Sequence, residues 1–222
     1  MANGIIFGGT SGVGEAIIRS LNPDYEFVFT YRSDAEKAKD IPGKAIYADM
    51  TNPKDVQNVF DQVDSLDLLV FSCFDFVKGD AFDRDASDKV LAYLSGYSNS
   101  LSCAYPKMDK SKGRIINMIG ASAESTIPDA SYYSAMFAYI NNLSNGINSK
   151  FGKKGGIQAL DLLMGPINTG RWKDPEFKKK YESNVRKFVE PQEIADFIKF
   201  ALRAETFPTK FVWDGYYSLP NP

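Results

Sequence analysis

The chain has 222 residues, 44% hydrophobic and 24% charged, the balance of an ordinary soluble protein with one substantial core. It holds no histidine, which excludes Ser/His/Asp and Cys/His triads and histidine-bearing metal sites; acid–base chemistry falls to Tyr, Lys, Asp, Glu or Cys, and no metal site is expected. A net charge of -2 offers no field for nucleic acid, no run of roughly 18 apolar residues spans a membrane, and the two cysteines, Cys73 and Cys103, exclude CxxC chemistry and a disulfide framework.

The opening "MANGIIFGG" carries no basic segment ahead of its apolar run, so residence in the cytoplasm is expected. Short apolar runs then alternate with longer patterned segments. In order, "GIIF", "YEFVFT", "KAIYA", "LDLLVFS", "GRIINMI", "IQALDLL" and "KFVW" read as seven strands, with helical stretches between most of them. The two longest helices are expected over about Asp88 to Met108 and Tyr132 to Phe151, the second ended by Gly152, Gly155 and Gly156. Strands buried on both faces and separated by helices need crossovers, so the fold class is α/β, a doubly wound parallel sheet with helices on both faces. No repeat, low-complexity tract or linker divides the chain, and residues 1–222 are expected to form one domain.

"GIIFGGTSGVGEAII" sets a strand, a glycine-rich turn and a helix in immediate succession, the context in which a glycine pattern has meaning. Gly8, Gly12 and Gly14 allow a sharp turn, close approach of a pyrophosphate and close packing of helix on strand. A helix starting near Gly12 presents free N–H groups and its positive dipole end to phosphates. The second strand runs into "YRSDAEK". A site for an unphosphorylated ribose places a carboxylate about 20 residues after the glycines, whereas this chain has Arg32 and Ser33, a guanidinium and a hydroxyl suited to a 2'-phosphate. The expected cofactor is NADP(H).

Thr10, Ser11, Gly12, Val13 and Gly14 complete a glycine spacing that resembles the TGxxxGxG turn of the short-chain dehydrogenase/reductase family, with Phe7 in place of the usual threonine. Further motifs match in order: "ADMT" after the third strand, "LDLLV", "GRIIN", "MGPINT", "EPQEIADFI" and "VWDG". The resemblance covers nearly the whole chain and implies a Rossmann-type fold. It also implies that Asp49 accepts from the adenine amino group with Met50 flanking the ring, and that Ile167 and Thr169 hold the nicotinamide carboxamide. Where the family has NNAG after the fourth strand this chain reads Phe71, Ser72, Cys73 and Phe74, a departure from the pattern, and Ser72 is counted with the cofactor positions. Asp49, Thr51 and Asn52 also read as helix caps, and both readings stand.

The reaction half departs from the family. Aligning "YSAMFA" with YxASKxA makes Tyr133 the acid and puts Phe137 where the lysine belongs; the serine thirteen residues earlier falls on Gly120, and the asparagine of the fourth helix falls near Ala92 or Tyr93. "YSAMFAYI" also fits YxxMxxxK, the pattern of the enoyl reductase branch, with Ile140 in place of lysine. Neither register sets a cation beside Tyr133 from within that helix. A phenol with no such neighbour keeps a pKa near ~10, leaving about one molecule in a thousand ionised at pH 7. Oxidation suffers most, because a neutral phenol still donates a proton during reduction. Ser122 is a substitute hydroxyl, two residues past Gly120 and on the same side of an extended chain; Tyr132 and Tyr93 are further candidates.

Phe71, Phe74, Phe76 and Phe137 read either as an apolar wall for a planar substrate or as core. The segment from Arg171 to Lys187 holds seven basic against three acidic residues and reads either as a lid that draws an anionic or carrier-bound substrate or as a solvated face. By resemblance, the two long helices pair into a homodimer or homotetramer, with "DGYYSLPNP" joining a further interface. Two functions follow: an NADPH-dependent reductase of a small molecule (a carbonyl or an activated C=C or C=N bond) with an atypical active site, or a non-catalytic NADP(H)-binding sensor, scaffold or partner subunit.

Overall fold

The computed structural model describes residues 1–170, 174–176, 179, 185 and 187–213. Its strands are β1 (Ala2–Phe7), β2 (Tyr25–Tyr31), β3 (Lys44–Tyr47), β4 (Leu68–Phe71), β5 (Arg114–Gly120), β6 (Gln158–Met164) and β7 (Lys210–Trp213). They form one seven-stranded sheet in the order β3-β2-β1-β4-β5-β6-β7, every pair parallel. All seven strands read from the sequence are present, and the doubly wound fold is confirmed.

The helices among the described residues are α1 (Gly12–Leu21), α2 (Ala35–Lys39), α3 (Pro53–Phe60), α4 (Arg84–Lys107), α5 (Ser131–Lys150) and α6 (Pro191–Arg203). Their apolar residues divide between the two faces of the sheet. One core joins Ile5, Phe7, Leu69 and Phe71 to residues of α3, α4 and α5, and the other joins Ile6, Leu68 and Val70 to residues of α1 and α6. Successive side chains of a strand point to opposite faces, so the apolar runs of β1 and β4 feed both cores at once. The edge strands differ from the expected burial on both faces: β3 and β7, the outermost strands among the described residues, are largely exposed.

Caps account for the helix starts. The hydroxyl of Ser11 accepts from the Gly14 N–H and begins α1, while Asp83 accepts from the Ala86 N–H and begins α4 four residues before the start read from the sequence. At α6, Glu190 and Glu193 form a reciprocal capping box. No helix among the described residues is long and apolar enough to cross a membrane.

Candidate active site

β1 ends in the glycine turn, and the turn is held from below. Thr30, buried on β2, accepts the Gly8 N–H on its hydroxyl at 3.0 Å and the Gly9 N–H on its carbonyl at 2.8 Å. Gly8 stands at φ 87°, open to glycine with little strain, and a Cβ there would lie 2.8 Å from the Ser72 carbonyl oxygen. At Gly14 a Cβ would lie 2.2 Å from the Gly8 carbonyl oxygen, so its glycine is what lets α1 seat against the turn. Ser72 braces the same turn: its hydroxyl lies 3.2 Å from the Ser11 hydroxyl and donates toward the carbonyls of Phe7 and Gly8 at 3.1 Å.

Beyond the capped Gly14, the N–H groups of Gly12 and Val13 head the helix, where no earlier turn supplies a partner. The loop after β6 closes on this end. The Thr169 methyl lies 2.5 Å from where a Gly12 Cβ would be, and Ile167 bridges to Val189 just ahead of α6. Asp49 accepts from the N–H and hydroxyl of Thr51 at 2.8 Å, so it acts as a turn former whichever further partner it takes, and Met50 is buried beneath Gly96 of α4. The fold therefore brings Gly8, Thr10, Ser11, Gly12, Val13, Gly14, Ser72, Asp49, Met50, Ile167 and Thr169 to the carboxyl ends of the strands, around the switch point between β1 and β4. Glycines whose Cβ atoms would fill the turn, followed by a capped helix start, fit a pyrophosphate.

Two charged residues missed in the sequence stand at this cradle. Lys37 of α2 donates to the Thr10 carbonyl at 2.8 Å and pairs with Glu15 at 2.9 Å. Burial pushes the Glu15 carboxyl up, but the hydrogen bonds from Lys37 and Arg19 outweigh it and leave the group below its ordinary value. Asp75, in the loop after β4, takes the Arg32 guanidinium at 2.5 Å and the Tyr93 hydroxyl at 2.8 Å on the same oxygen. The bond to Asp75 strengthens the hold of Arg32 on its proton. Burial, then Asp75, pushes the Tyr93 phenol up to about 12. A basic residue on a short helix after β2 was a readable signal for Lys37; nothing local marks Asp75. Ser33 is exposed beside Arg32.

At the reacting end, Tyr133 lies in the first turn of α5, its ring edge-on to Phe76 (5.1 Å between centroids) and Phe137 (4.5 Å). Phe137 is buried and turned toward β5: a Cβ on Gly120 would lie 2.8 Å from its Cε2. The two positions singled out in the sequence therefore share one space, the Phe137 ring filling the room that a side chain at 120 would need. Ser122 is not on an extended chain as expected. It lies on the 3-10 turn Ala121–Ala123, which carries its hydroxyl back to 3.1 Å from the Gly120 Cβ position.

That hydroxyl is buried and has no hydrogen-bond partner among the described residues. The other candidates are engaged, Tyr132 with the Ala81 carbonyl and Tyr93 with Asp75. Of the proposed aromatic wall, Phe71 is corrected to core, fully buried and stacked on Phe7, because β4 runs through the middle of the sheet; Phe74, part-buried, leans on Phe137, and Phe76 is exposed. Of the basic segment, Arg171, Lys173, Lys178, Lys180 and Arg186 lie outside the described residues, as does "DGYYSLPNP".

A switch-point crevice with a glycine turn and a capped helix start defines a dinucleotide-binding α/β protein. A family model described as enoyl-(acyl carrier protein) reductase matches residues 8–207. The chain belongs to that family, within the short-chain dehydrogenase/reductases, a family of oxidoreductases. An uncharacterised oxidoreductase of Staphylococcus aureus (strain USA300) is 24% identical, with 89% of each chain covered. Among solved structures, a short-chain dehydrogenase/reductase from Serratia marcescens is 23% identical with a TM-score of 0.86, covering 98% of each chain. A short-chain dehydrogenase from Burkholderia cenocepacia, in complex with NADP, is 21% identical with a TM-score of 0.83, covering 96% of each chain.

Proposed function

We propose that the chain is an NADPH-dependent reductase of a small molecule, with a carbonyl or an activated C=C or C=N bond as the reducible group. The family description favours the conjugated C=C bond, including one carried on a thioester. The observation that carries the reading is the buried, unpartnered hydroxyl of Ser122 beside the position of the family serine. A buried hydroxyl without a partner is costly, and a substrate oxygen is the acceptor that relieves it.

NADP(H) is the cofactor supported by the fold neighbour's complex and by Arg32 and Lys37, two cations beside the cradle. The glycine turn with Thr10, Ser11 and Val13 holds the pyrophosphate, Asp49 and Met50 the adenine, and Ile167 and Thr169 the nicotinamide end. When bound, the cofactor supplies a hydride. The chain supplies the rest: Ser122 donates a hydrogen bond to the substrate oxygen, and Tyr133 donates a proton as a neutral phenol. Assembly as a homodimer or homotetramer in the cytoplasm completes the proposal, with each protomer one domain over its 222 residues.

The test is a fluorescence titration with NADPH and NADH on wild type and Arg32→Ala, followed by NADPH consumption with enones, enoyl thioesters, imines and anionic carbonyls. NADPH binding that Arg32→Ala weakens is expected, and turnover that falls about 100-fold or more in both Tyr133→Phe and Ser122→Ala. Tight NADPH binding without turnover on any of these classes supports the second reading, a non-catalytic NADP(H)-binding sensor, scaffold or partner subunit. Phe137 in the place of the lysine is the observation that keeps that reading open. Simple ketones reduced as fast as the activated substrates would overturn the preference for activated bonds.

A further inference from the structure

Arg32 follows β2 directly, and Asp75 lies four residues past the end of β4. In the sheet order β2 and β4 are not neighbours, because β1 runs between them. Adjacent strands stand ~4.8 Å apart, so the bases of these two loops are roughly 10 Å apart, with the end of β1 and its glycine turn in between. An ion pair of 2.5 Å between the two side chains therefore crosses the crevice at the switch point, over the turn that holds the pyrophosphate. Both partners reach out to make it, Arg32 at 49% and Asp75 at 58% side-chain exposure. The Tyr93 hydroxyl, donating to the same Asp75 oxygen at 2.8 Å, fixes the carboxylate on the α4 side of the crevice.

The carboxylate thus holds the one guanidinium at the end of β2 that a 2'-phosphate would take. Both are anions that accept from a guanidinium fork, and one Arg32 cannot give its best geometry to both. We propose that Asp75 is an internal competitor for the 2'-phosphate: it occupies Arg32 until the cofactor's phosphate displaces it, and so lowers the preference of the site for a phosphorylated over an unphosphorylated ribose. This rests on the reading that Arg32 meets the 2'-phosphate. The consequence is directional. Binding of the phosphorylated nucleotide pays for breaking an ion pair, and binding of the unphosphorylated one leaves the pair alone, so Asp75 trims selectivity and speeds release of the phosphorylated form.

The test uses two probes that differ only at the 2' position, adenosine 2',5'-bisphosphate and adenosine 5'-phosphate, with calorimetric dissociation constants on wild type, Asp75→Asn, Arg32→Ala and the double variant. Asp75→Asn keeps the shape and an acceptor for Tyr93 while removing the charge, and the site is exposed enough for the variant to fold. Expected is a three- to tenfold tighter hold on the bisphosphate in Asp75→Asn, on the order of one exposed ion pair plus a relieved like-charge contact, with the monophosphate within about twofold. In the Arg32→Ala background the ion-pair part of that gain disappears, so the same change should tighten the bisphosphate clearly less than in wild type, by no more than the relieved like-charge contact. If Arg32→Ala weakens the bisphosphate but Asp75→Asn leaves it unchanged or weaker, the competitor role is overturned and the cofactor reading survives. If wild type does not discriminate between the probes and Arg32→Ala changes neither, both fall together.

Discussion

Gly120 and Phe137 share one space, so the residue type at each position constrains the other. A Cβ on Gly120 would meet Phe137 Cε2 at 2.8 Å and Cδ2 at 3.0 Å, closer than carbon atoms pack. Gly120→Ser alone should therefore cost about 1–3 kcal/mol through overpacking. Phe137→Ala alone should cost roughly 3–5 kcal/mol, since the ring is buried among Phe74, Tyr133 and the end of β5. In the double variant the serine enters space that the ring has left, so the two losses should fall short of their sum by about 0.5–3 kcal/mol. Denaturant unfolding of the four chains measures that coupling; strict additivity would mean the two positions do not share space. The spacing of the motif in the sequence singled out both positions. Their contact was not legible, since it depends on the rotamer of a side chain seventeen residues away.

At the scale of elements, the strands and the start of α1 were legible because each is written locally: an apolar run, then a glycine turn, then Ser11 as cap. The start of α4 was read late because Asp83 sits before a polar first turn, "RDASDK", where hydrophobic periodicity is silent and only the cap marks the boundary. Asp75 was illegible for a different reason: its partners, Arg32 and Tyr93, come from β2's end and α4, and long-range pairing of exposed side chains leaves no periodic trace. The glycines of two helices separate what a turn demands from what it tolerates. Gly14→Ala puts a methyl 2.2 Å from the Gly8 carbonyl, so α1 must lift off the turn; a loss of about 1–3 kcal/mol and weakened NADPH binding are expected. A Cβ on Gly146, exposed within α5, would meet nothing within 4 Å among the described residues, and Gly146→Ala should instead stabilise by about 0.5–1 kcal/mol. Thermal melts of the two variants beside wild type decide it. Equal and opposite shifts are not required, but shifts of the same sign would show that helix propensity outweighs the fit of the turn, or the reverse.

At the scale of the whole molecule, a buried carboxylate joins strands to helices across one face of the sheet. Asp161 on β6 is fully buried and accepts from Asn117 of β5 at 2.7 Å, from Ser144 of α5 at 2.8 Å and from Asn141 of α5 at 2.7 Å, while Tyr97 of α4 donates to Asn117 at 3.2 Å. The network therefore links the neighbouring strands β5 and β6 to both long helices. Burial raises the Asp161 pKa, and the donors Asn117, Asn141 and Ser144, with the charge of Lys210 on β7, oppose that rise without cancelling it. The neighbouring Tyr97 phenol is pushed up in turn, chiefly by its burial and then by Asp161, so it stays neutral across the working range. For a carboxyl whose folded pKa lies above its unfolded value near ~3.9, the folded state binds the proton more tightly. Its contribution is then fully present below the unfolded pKa and is lost as pH rises through the folded one. Asp161→Asn removes the titration, and Asn141 can turn its amide to present an oxygen to the new N–H group. The difference in unfolding free energy between Asp161→Asn and wild type should therefore move in favour of the variant as pH rises from about 4 toward neutrality. Urea unfolding of both chains at a series of pH values measures that difference, and because every other group titrates equally in the two, its slope belongs to Asp161. A flat difference would mean that the three donors fully offset burial, and a slope of the opposite sign would mean that they hold the carboxylate ionised below its ordinary range.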